Sequence, residues 1–399
     1  MRKRKVEIEA YVSPYNRQLD CTNLTFYDST LRDGEQMAGL SFTPEQKLEI
    51  ARMLDEMQVP QIEVGFPACS ETERKAIKKI VSEKLDAKIL CLSRIVKEDL
   101  DHAIDCGVDT ALLFVSCSDI QILNSHVKKE EIAKKVEFSV EYLKKHGIKP
   151  SFSTMDSTRG DISLQIELFG IALRAGARRL GITDTLGCIS PDSFQILVSK
   201  IKEKINSFGY GQVGKEIELS VHCHNDFGLA LANAISGIQA GATAVATTTM
   251  GIGERAGNVP TEQFVMAMKY LYGIDLGIKT EYFSKLAKKI ARFAKLKIPP
   301  NAPFVGSNAF AHESGIHVQS VLSQPFSFEP VSPEVVGNRR KIILGKHSGT
   351  AGLKFALSRI GLELSDDVMK KVLEEVKKQG EKKGKVSYKD LIKICKEVS

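Results

Sequence analysis

The residues of this chain best suited to chemistry fall in three short polar clusters. Asp28-Ser-Thr-Leu-Arg-Asp-Gly-Glu-Gln36 puts a cation, Arg32, beside carboxylates at Asp33 and Glu35. His222-Cys-His-Asn-Asp226 holds two imidazoles at i and i+2, which an extended backbone directs to one face. Gly251-Ile-Gly-Glu-Arg-Ala-Gly-Asn258 is a glycine-rich loop that lets backbone approach a ligand closely and adds Glu254 and Asn258 to the same rim. Two histidines and one carboxylate, with positions left open for water or substrate, suit a catalytic divalent metal. By itself the histidine pair fits ordinary hydrogen bonding in a loop, and the glycine loop fits a simple closing turn. The metal reading needs Arg32 and Asp33 at the same end of the fold.

The elements around these clusters put them there. Eight short, mostly β-branched runs recur over the first 270 residues, at 24–27, 61–64, 88–92, 111–115, 150–153, 179–182, 217–221 and 244–248. Longer stretches of helical periodicity separate them, such as Pro44 to Leu54, opened by Thr43-Pro44 as cap and first-turn proline. Eight alternations of β and α predict a parallel sheet closed as a (β/α)8 TIM barrel, in which chemistry sits just after the strands. The three clusters follow runs one, seven and eight. An open doubly wound sheet would call for a nucleotide fingerprint after the first strand, and none is present.

With 399 residues, 43% hydrophobic and 26% charged, the chain can bury a sizeable core. No apolar run approaches the roughly 18–20 residues of a membrane span, and the basic start, Met1 to Lys5, is followed by Val6-Glu-Ile-Glu-Ala10 where a signal peptide is apolar. Eight cysteines without a C-x-x-C pair suggest reduced thiols in a cytoplasmic protein. The net charge of +7 is spread over many helices, so it favours acidic small molecules or a CoA thioester rather than marking a nucleic-acid protein. Gly209 to Lys215 imitates a phosphate-binding loop, but Glu216 stands where Ser or Thr is needed and a strand follows it. Lys279 to Lys297 sets Phe283, Leu286, Ile290 and Phe293 on one stripe, read as a helix docked beside the barrel and not as a membrane-surface helix. The expected organisation is an N-terminal extension (1–22), a catalytic barrel (23–275), a linker subdomain (276–345) and a helical subdomain (346–399) of two helices parted by Gly380 to Gly384. A leucine-type regulatory domain is not expected.

Five motifs carry a resemblance over nearly the whole chain: Leu31-Arg-Asp-Gly-Glu35, His222-x-His-Asn-Asp226, Gly251-x-Gly-Glu-Arg-Ala-Gly-Asn258, His312-Glu-Ser-Gly-Ile-His317 and Leu344-Gly-Lys-His-Ser-Gly349. Together they resemble the acyl-CoA-dependent Claisen synthases of the 2-isopropylmalate, homocitrate and citramalate synthase family. The resemblance implies a metal-dependent barrel that joins acetyl-CoA to a 2-oxo acid and then hydrolyses the thioester. It implies Asp33, His222 and His224 as ligands of Mg2+, Mn2+ or Zn2+, with Asn258 as a fourth contact. Arg32, Glu254 and His317 are the expected catalytic residues. Arg32 would polarise the ketone with the metal, and His317, arriving from the partner of a homodimer, would help remove the acetyl-CoA methyl proton. Thr185 would hold the α-carboxylate, with Arg32, Ser153, Glu63 and Arg94 also meeting the substrate, the last two near its variable end. Gly251, Gly253 and Asn258 would face CoA.

Two departures stand out. Met155 replaces a carboxylate usual after strand five, leaving Asp156 as a possible substitute, and Phe328 replaces a usual tyrosine. The layout is closest to the homocitrate branch, but Ser151 replaces an arginine of lysine-pathway homocitrate synthases. Oxaloacetate (giving citrate), 2-oxoisovalerate and pyruvate therefore stay open. A hydroxymethylglutaryl-CoA lyase would need a cysteine in the glycine-rich loop, which has none. A non-catalytic relative would have no reason to keep the metal set.

Overall fold

In the computed structural model, residues 9–19, 21, 23–125 and 129–398 are described. Residues 1–8, 20 and 22 of the proposed 1–22 extension lie outside them. All eight predicted strands form: β1 (Thr25–Asp28), β2 (Gln61–Glu63), β3 (Lys88–Arg94), β4 (Thr110–Ser116), β5 (Lys149–Met155), β6 (Arg179–Asp184), β7 (Glu218–Cys223) and β8 (Ala244–Thr247). Each pairs in parallel with the next, and β1 also pairs with β8, Thr25 to Asp28 lying against Ala244 to Thr247, so the barrel closes. Its interior layer is apolar, with Tyr27, Leu90, Leu112 and Ala246 packed together against Leu92.

The expected strand limits move by at most two residues. The main consequence is at β7, where Thr183 pairs with His222 and Asp184 with Cys223. This ladder carries the strand through His222, which is therefore a strand residue, while His224 lies just beyond it. The helix from Pro44 to Glu56 has the predicted start, with Thr43 and Gln46 forming a reciprocal capping box ahead of Pro44. The Gly209–Lys215 loop folds back on itself, the Glu216 carboxylate accepting from the Gln212 amide, and leads into a strand as expected.

Chain contacts divide the molecule into two compact units. One holds the barrel, residues 17–279 together with 286–296; the other holds residues 9–16, 280–285 and 297–398. In the barrel unit Leu286 and Ile290 are fully buried, so that part of the lysine-rich helix is a docked helix. Among the described residues no helix is long and apolar enough to cross a membrane, and no cysteine is in a disulfide.

The second unit does not divide at 345/346. Leu344 packs in one cluster with Leu353, Val372, Val376, Leu391 and Ile394, so the end of the supposed linker shares the core of the helices. The part after residue 346 holds three helices, not two: Thr350–Arg359, Asp366–Lys383 and Tyr388–Val398. The middle one runs through Gly380, where a β-carbon would stand 2.3 Å from the Lys346 amide nitrogen. That glycine is a packing contact, and the turn comes at Gly384, whose φ is +78°. Ser387 and Asp390 cap the last helix as predicted, the Asp390 amide donating to Ser387 Oγ at 3.2 Å and the Ser387 amide to Asp390 Oδ2 at 3.0 Å.

Candidate metal centre and substrate cavity

The chain leaves β1 at Asp28, which is fully buried and accepts hydrogen bonds from the Thr30 amide (2.9 Å) and Thr261 Oγ1 (2.8 Å). That anchor fixes the tight turn that follows, in which the Arg32 and Gly34 amides both donate to the Ser29 carbonyl at 3.0 Å. The turn aims Asp33 at the barrel axis and sends Glu35 elsewhere. Glu35 is held by the buried Lys47 ammonium at 2.8 Å, which also binds Glu73 at 2.6 Å. Of the two carboxylates beside Arg32, only Asp33 reaches the histidines.

Asp33, His222 and His224 are all buried, and one ligand atom from each lies within 4.8 Å of the others. His222 Nε2 and His224 Nε2 stand 3.1 Å apart, and they lie 3.6 Å and 4.0 Å from Asp33 Oδ2. Burial drives the His222 pKa down to about 3 and lowers that of His224. Both rings are therefore neutral near pH 7 and keep a lone pair for a cation. Burial pushes Asp33 up, but Arg32, followed by His222 and His224, outweighs it and holds the carboxylate below its usual range. Neutral imidazoles and an ionised carboxylate converging in a buried space are the donor set of a divalent metal.

Asn258 completes the setting. Its Nδ2 donates to Asp33 Oδ1 at 2.7 Å and to the Ile252 carbonyl at 3.2 Å. Its Oδ1 is buried and has no hydrogen-bond partner among the described residues, as is His224 Nδ1. An orphaned buried amide oxygen is costly unless something binds it, so it fits a metal contact. Gly253 makes room for this arrangement: a β-carbon there would lie 2.1 Å from Asn258 Nδ2 and 2.8 Å from Asp33 Oδ1. Gly251 closes the same loop by accepting from the Asn258 amide at 2.9 Å.

A cavity of about 260 Å3 opens beside this cluster. Arg32, Asp33, His222, His224, Ser153, Thr185 and Glu254 line it, so the three clusters and the turn after β6 meet as expected. Arg32 is clamped by the fully buried Glu63 (Nε to Oε1, 2.7 Å) and by Asp33 (Nη1 to Oδ2, 2.5 Å), and Glu63 also accepts from Ser29 Oγ at 2.5 Å. Glu63 and Arg94 were expected to meet the substrate, but neither lines the cavity. Glu63 is spent on orienting Arg32, and Arg94 faces outward, paired with Asp99 at 2.7 Å. Asp156 is no substitute for the missing carboxylate either, since it is buried and bound to Arg159 (2.7 Å) and Ser118 (2.5 Å).

Some cavity residues were not legible in the sequence. Arg255 binds Asp226 through Nε and Nη2 (2.8 and 3.0 Å) and the Thr185 carbonyl at 2.6 Å, tying the loops after β6, β7 and β8 together. Its place in the glycine-rich loop was the available signal. Tyr27, Leu92, Leu112, Leu113 and Phe114 supply an apolar wall, and as ordinary strand residues they gave no signal. In the second unit, His317 lies on the helix Gly315–Ser323 with its ring stacked on Phe328, the centroids 3.8 Å apart. Nearby in sequence, His312 and Arg340 both bind the buried Glu329, at 3.0 Å and 2.7 Å.

Comparison with known proteins agrees with this geometry. Residues 23–290 match the HMGL-like family and residues 304–384 the homocitrate synthase post-HMGL domain-like family. The chain is 42% identical over 390 residues to the homocitrate synthase AksA of Methanopyrus kandleri, covering 97% of this chain and 96% of that protein. It is 42% identical to the 2-isopropylmalate synthase of Methanocaldococcus jannaschii, covering 93% of this chain and 71% of that one. The (R)-citramalate synthase CimA of the same organism is 43% identical, with 94% and 74% covered. Among solved structures, an HMG-CoA lyase of Bacillus subtilis shares the barrel, with a TM-score of 0.61 at 21% identity over 69% of this chain and 95% of that one. The barrel, its candidate metal triad and the matched C-terminal region place this chain in the HMGL-like family, in the branch that carries the homocitrate synthase post-HMGL domain.

Proposed function

We propose that this chain is an acetyl-CoA:2-oxo acid C-acetyltransferase, similar to homocitrate synthase. The observation that carries the reading is the convergence of Asp33, His222 and His224 with the clamped Arg32 on one cavity, together with near full-length likeness to synthases of this reaction class. In this reading the methyl carbon of acetyl-CoA loses a proton to a base and its carbanion attacks the ketone carbon of the 2-oxo acid. The resulting alkoxide takes up a proton, and water then cleaves the thioester, releasing CoA as the thiol. A divalent cation held by Asp33, His222, His224 and Asn258 would supply Lewis-acid charge opposite the developing alkoxide.

The protein's own residues supply the rest. Arg32 cannot turn away, because Glu63 and Asp33 hold two of its nitrogens; Nη2 is left to face the ketone oxygen, a preorganised charge that needs no rearrangement during reaction. Thr185 and Ser153, which line the cavity, are assigned to the α-carboxylate, and the loop from Gly251 to Asn258, with Glu254 on the cavity wall, is assigned to CoA. His317 is assigned to methyl-proton removal, acting in the partner subunit's site of a homodimer. Its stacking on Phe328 presents the ring without a phenol beside it. A cytoplasmic location suits the unbridged cysteines.

The test is release of free CoA from acetyl-CoA, read with a thiol reagent, in the presence of 2-oxoglutarate, oxaloacetate, 2-oxoisovalerate or pyruvate. Release is expected with at least one acid, lost on chelation and restored by Mg2+, Mn2+ or Zn2+. No release with any acid, or full activity in metal-free protein, would end this reading.

A further inference from the structure

The likeness to homocitrate synthases does not bring the acid with it, because relatives named for isopropylmalate and citramalate are just as similar. The cavity itself is more discriminating. Its polar side is built at the ends of β1 and β6 to β8, and the opposite wall comes from β3, β4 and β5 as Leu92, Leu112, Leu113, Phe114 and Met155. Arg32 and Arg255 are the lysine or arginine residues that line it. Arg255 spends Nε and Nη2 on Asp226 and the Thr185 carbonyl, which holds it to the polar side at the loops after β6, β7 and β8. Arg32 spends Nε on Glu63 and Nη1 on Asp33, which leaves one guanidinium nitrogen for the reacting end of the substrate.

We propose that the 2-oxo acid this chain takes is a monocarboxylate with an apolar side chain, an inference that rests on the condensing reading above. The acid's 2-oxo and carboxylate groups occupy the polar side, and its side chain lies against the wall of Leu92, Leu112, Phe114 and Met155. A dicarboxylic acid would have to bring a second carboxylate to that wall. Thr183 Oγ1 already donates to the Thr154 carbonyl at 2.7 Å, and Thr185 and Ser153 are assigned to the α-carboxylate. Tyr27 and the Gln36 amide remain as neutral donors on the cavity surface. A neutral donor does not replace the water shell of an ionised carboxylate, which in a partly closed apolar site needs a cation. An aliphatic side chain, by contrast, gains from leaving water in proportion to its area.

The experiment is steady-state CoA release with 2-oxoisovalerate, 2-oxobutyrate and pyruvate against 2-oxoglutarate and oxaloacetate. The expected result is a kcat/KM at least about 100-fold higher for the best monocarboxylate than for either dicarboxylate, about 2.8 kcal/mol at about 1.4 kcal/mol per tenfold. A dicarboxylate as the best substrate overturns this inference while leaving the condensing reading standing; silence with all five acids overturns both. A second measurement tests the wall directly. Met155→Ala should raise the kcat/KM ratio of 4-methyl-2-oxopentanoate over pyruvate by at least about fivefold, since a vacated thioether admits the longer branch, while Met155→Leu keeps the ratio within about twofold of wild type. An unchanged ratio in Met155→Ala shows that the side chain does not bind against this wall.

Discussion

Gly253 lies next to the metal triad without belonging to it, and Gly253→Ala tests whether Asn258 organises that site. The added methyl would stand 2.1 Å from Asn258 Nδ2 and 2.8 Å from Asp33 Oδ1, both far inside van der Waals contact. The amide must therefore swing away and give up its 2.7 Å hydrogen bond to Asp33. A hydrogen bond to a charged group is worth about 1.5–3 kcal/mol, and losing a partner that orients a metal ligand costs about 10- to 100-fold in affinity. We therefore expect chelator-stripped Gly253→Ala protein to bind Mn2+ or Zn2+ about 10- to 100-fold more weakly than wild type in calorimetric titration, with far-ultraviolet circular dichroism unchanged. Asn258→Ala, which removes the amide without touching the backbone, should lose affinity in the same direction. Wild-type affinity in both variants would show that Asn258 neither orients Asp33 nor contacts the cation.

Two further outcomes follow from other buried groups. Glu63→Gln removes the charge that clamps Arg32 Nε, so kcat should fall about 10- to 100-fold with KM for acetyl-CoA little changed, on the scale of a lost charge-positioning contact; steady-state rates within twofold of wild type would refute the clamp. Glu262, buried beneath the glycine-rich loop and accepting from the Met250 amide at 3.0 Å, has its pKa pushed up by burial from 4.5 to about 7. Between those values the folded protein holds a proton that the unfolded chain has released, so stability falls as pH rises, by about 3 kcal/mol in all. Urea unfolding at pH 5 and pH 8 should show that loss in wild type and not in Glu262→Gln, and an identical pH dependence in the two proteins would refute it.

Most of the architecture follows from local pattern. Eight β-branched runs separated by amphipathic segments can bury their apolar faces together as a closed parallel sheet, and the placement of Asp33, His222 and His224 at one rim follows because all three come at or after strand C-termini. The capping signals at Thr43 and Ser387 were legible for the same reason, since each acts within one helical turn.

What the linear order could not decide was which of several chemically equivalent groups faces the cavity. Asp33 and Glu35 are two residues apart beside the same arginine, and only the buried Lys47, far along the chain, draws Glu35 away. Glu63 looked like a substrate contact until the barrel closed and brought it to Arg32 across 31 positions, where an uncompensated charge inside the barrel demands a partner. Gly380 looked like a break, and the Gly345–Lys346 backbone against it makes it a contact instead. The apolar wall of the cavity had no signature, because a leucine on a strand reads the same whether it packs against protein or against a ligand. The scaffold and the residue types of the candidate metal site were legible in the chain alone, because these depend on period and local chemistry. The tertiary structure alone decided the partner of each buried charge and the polarity of each wall, because desolvation is set by neighbours distant in the chain.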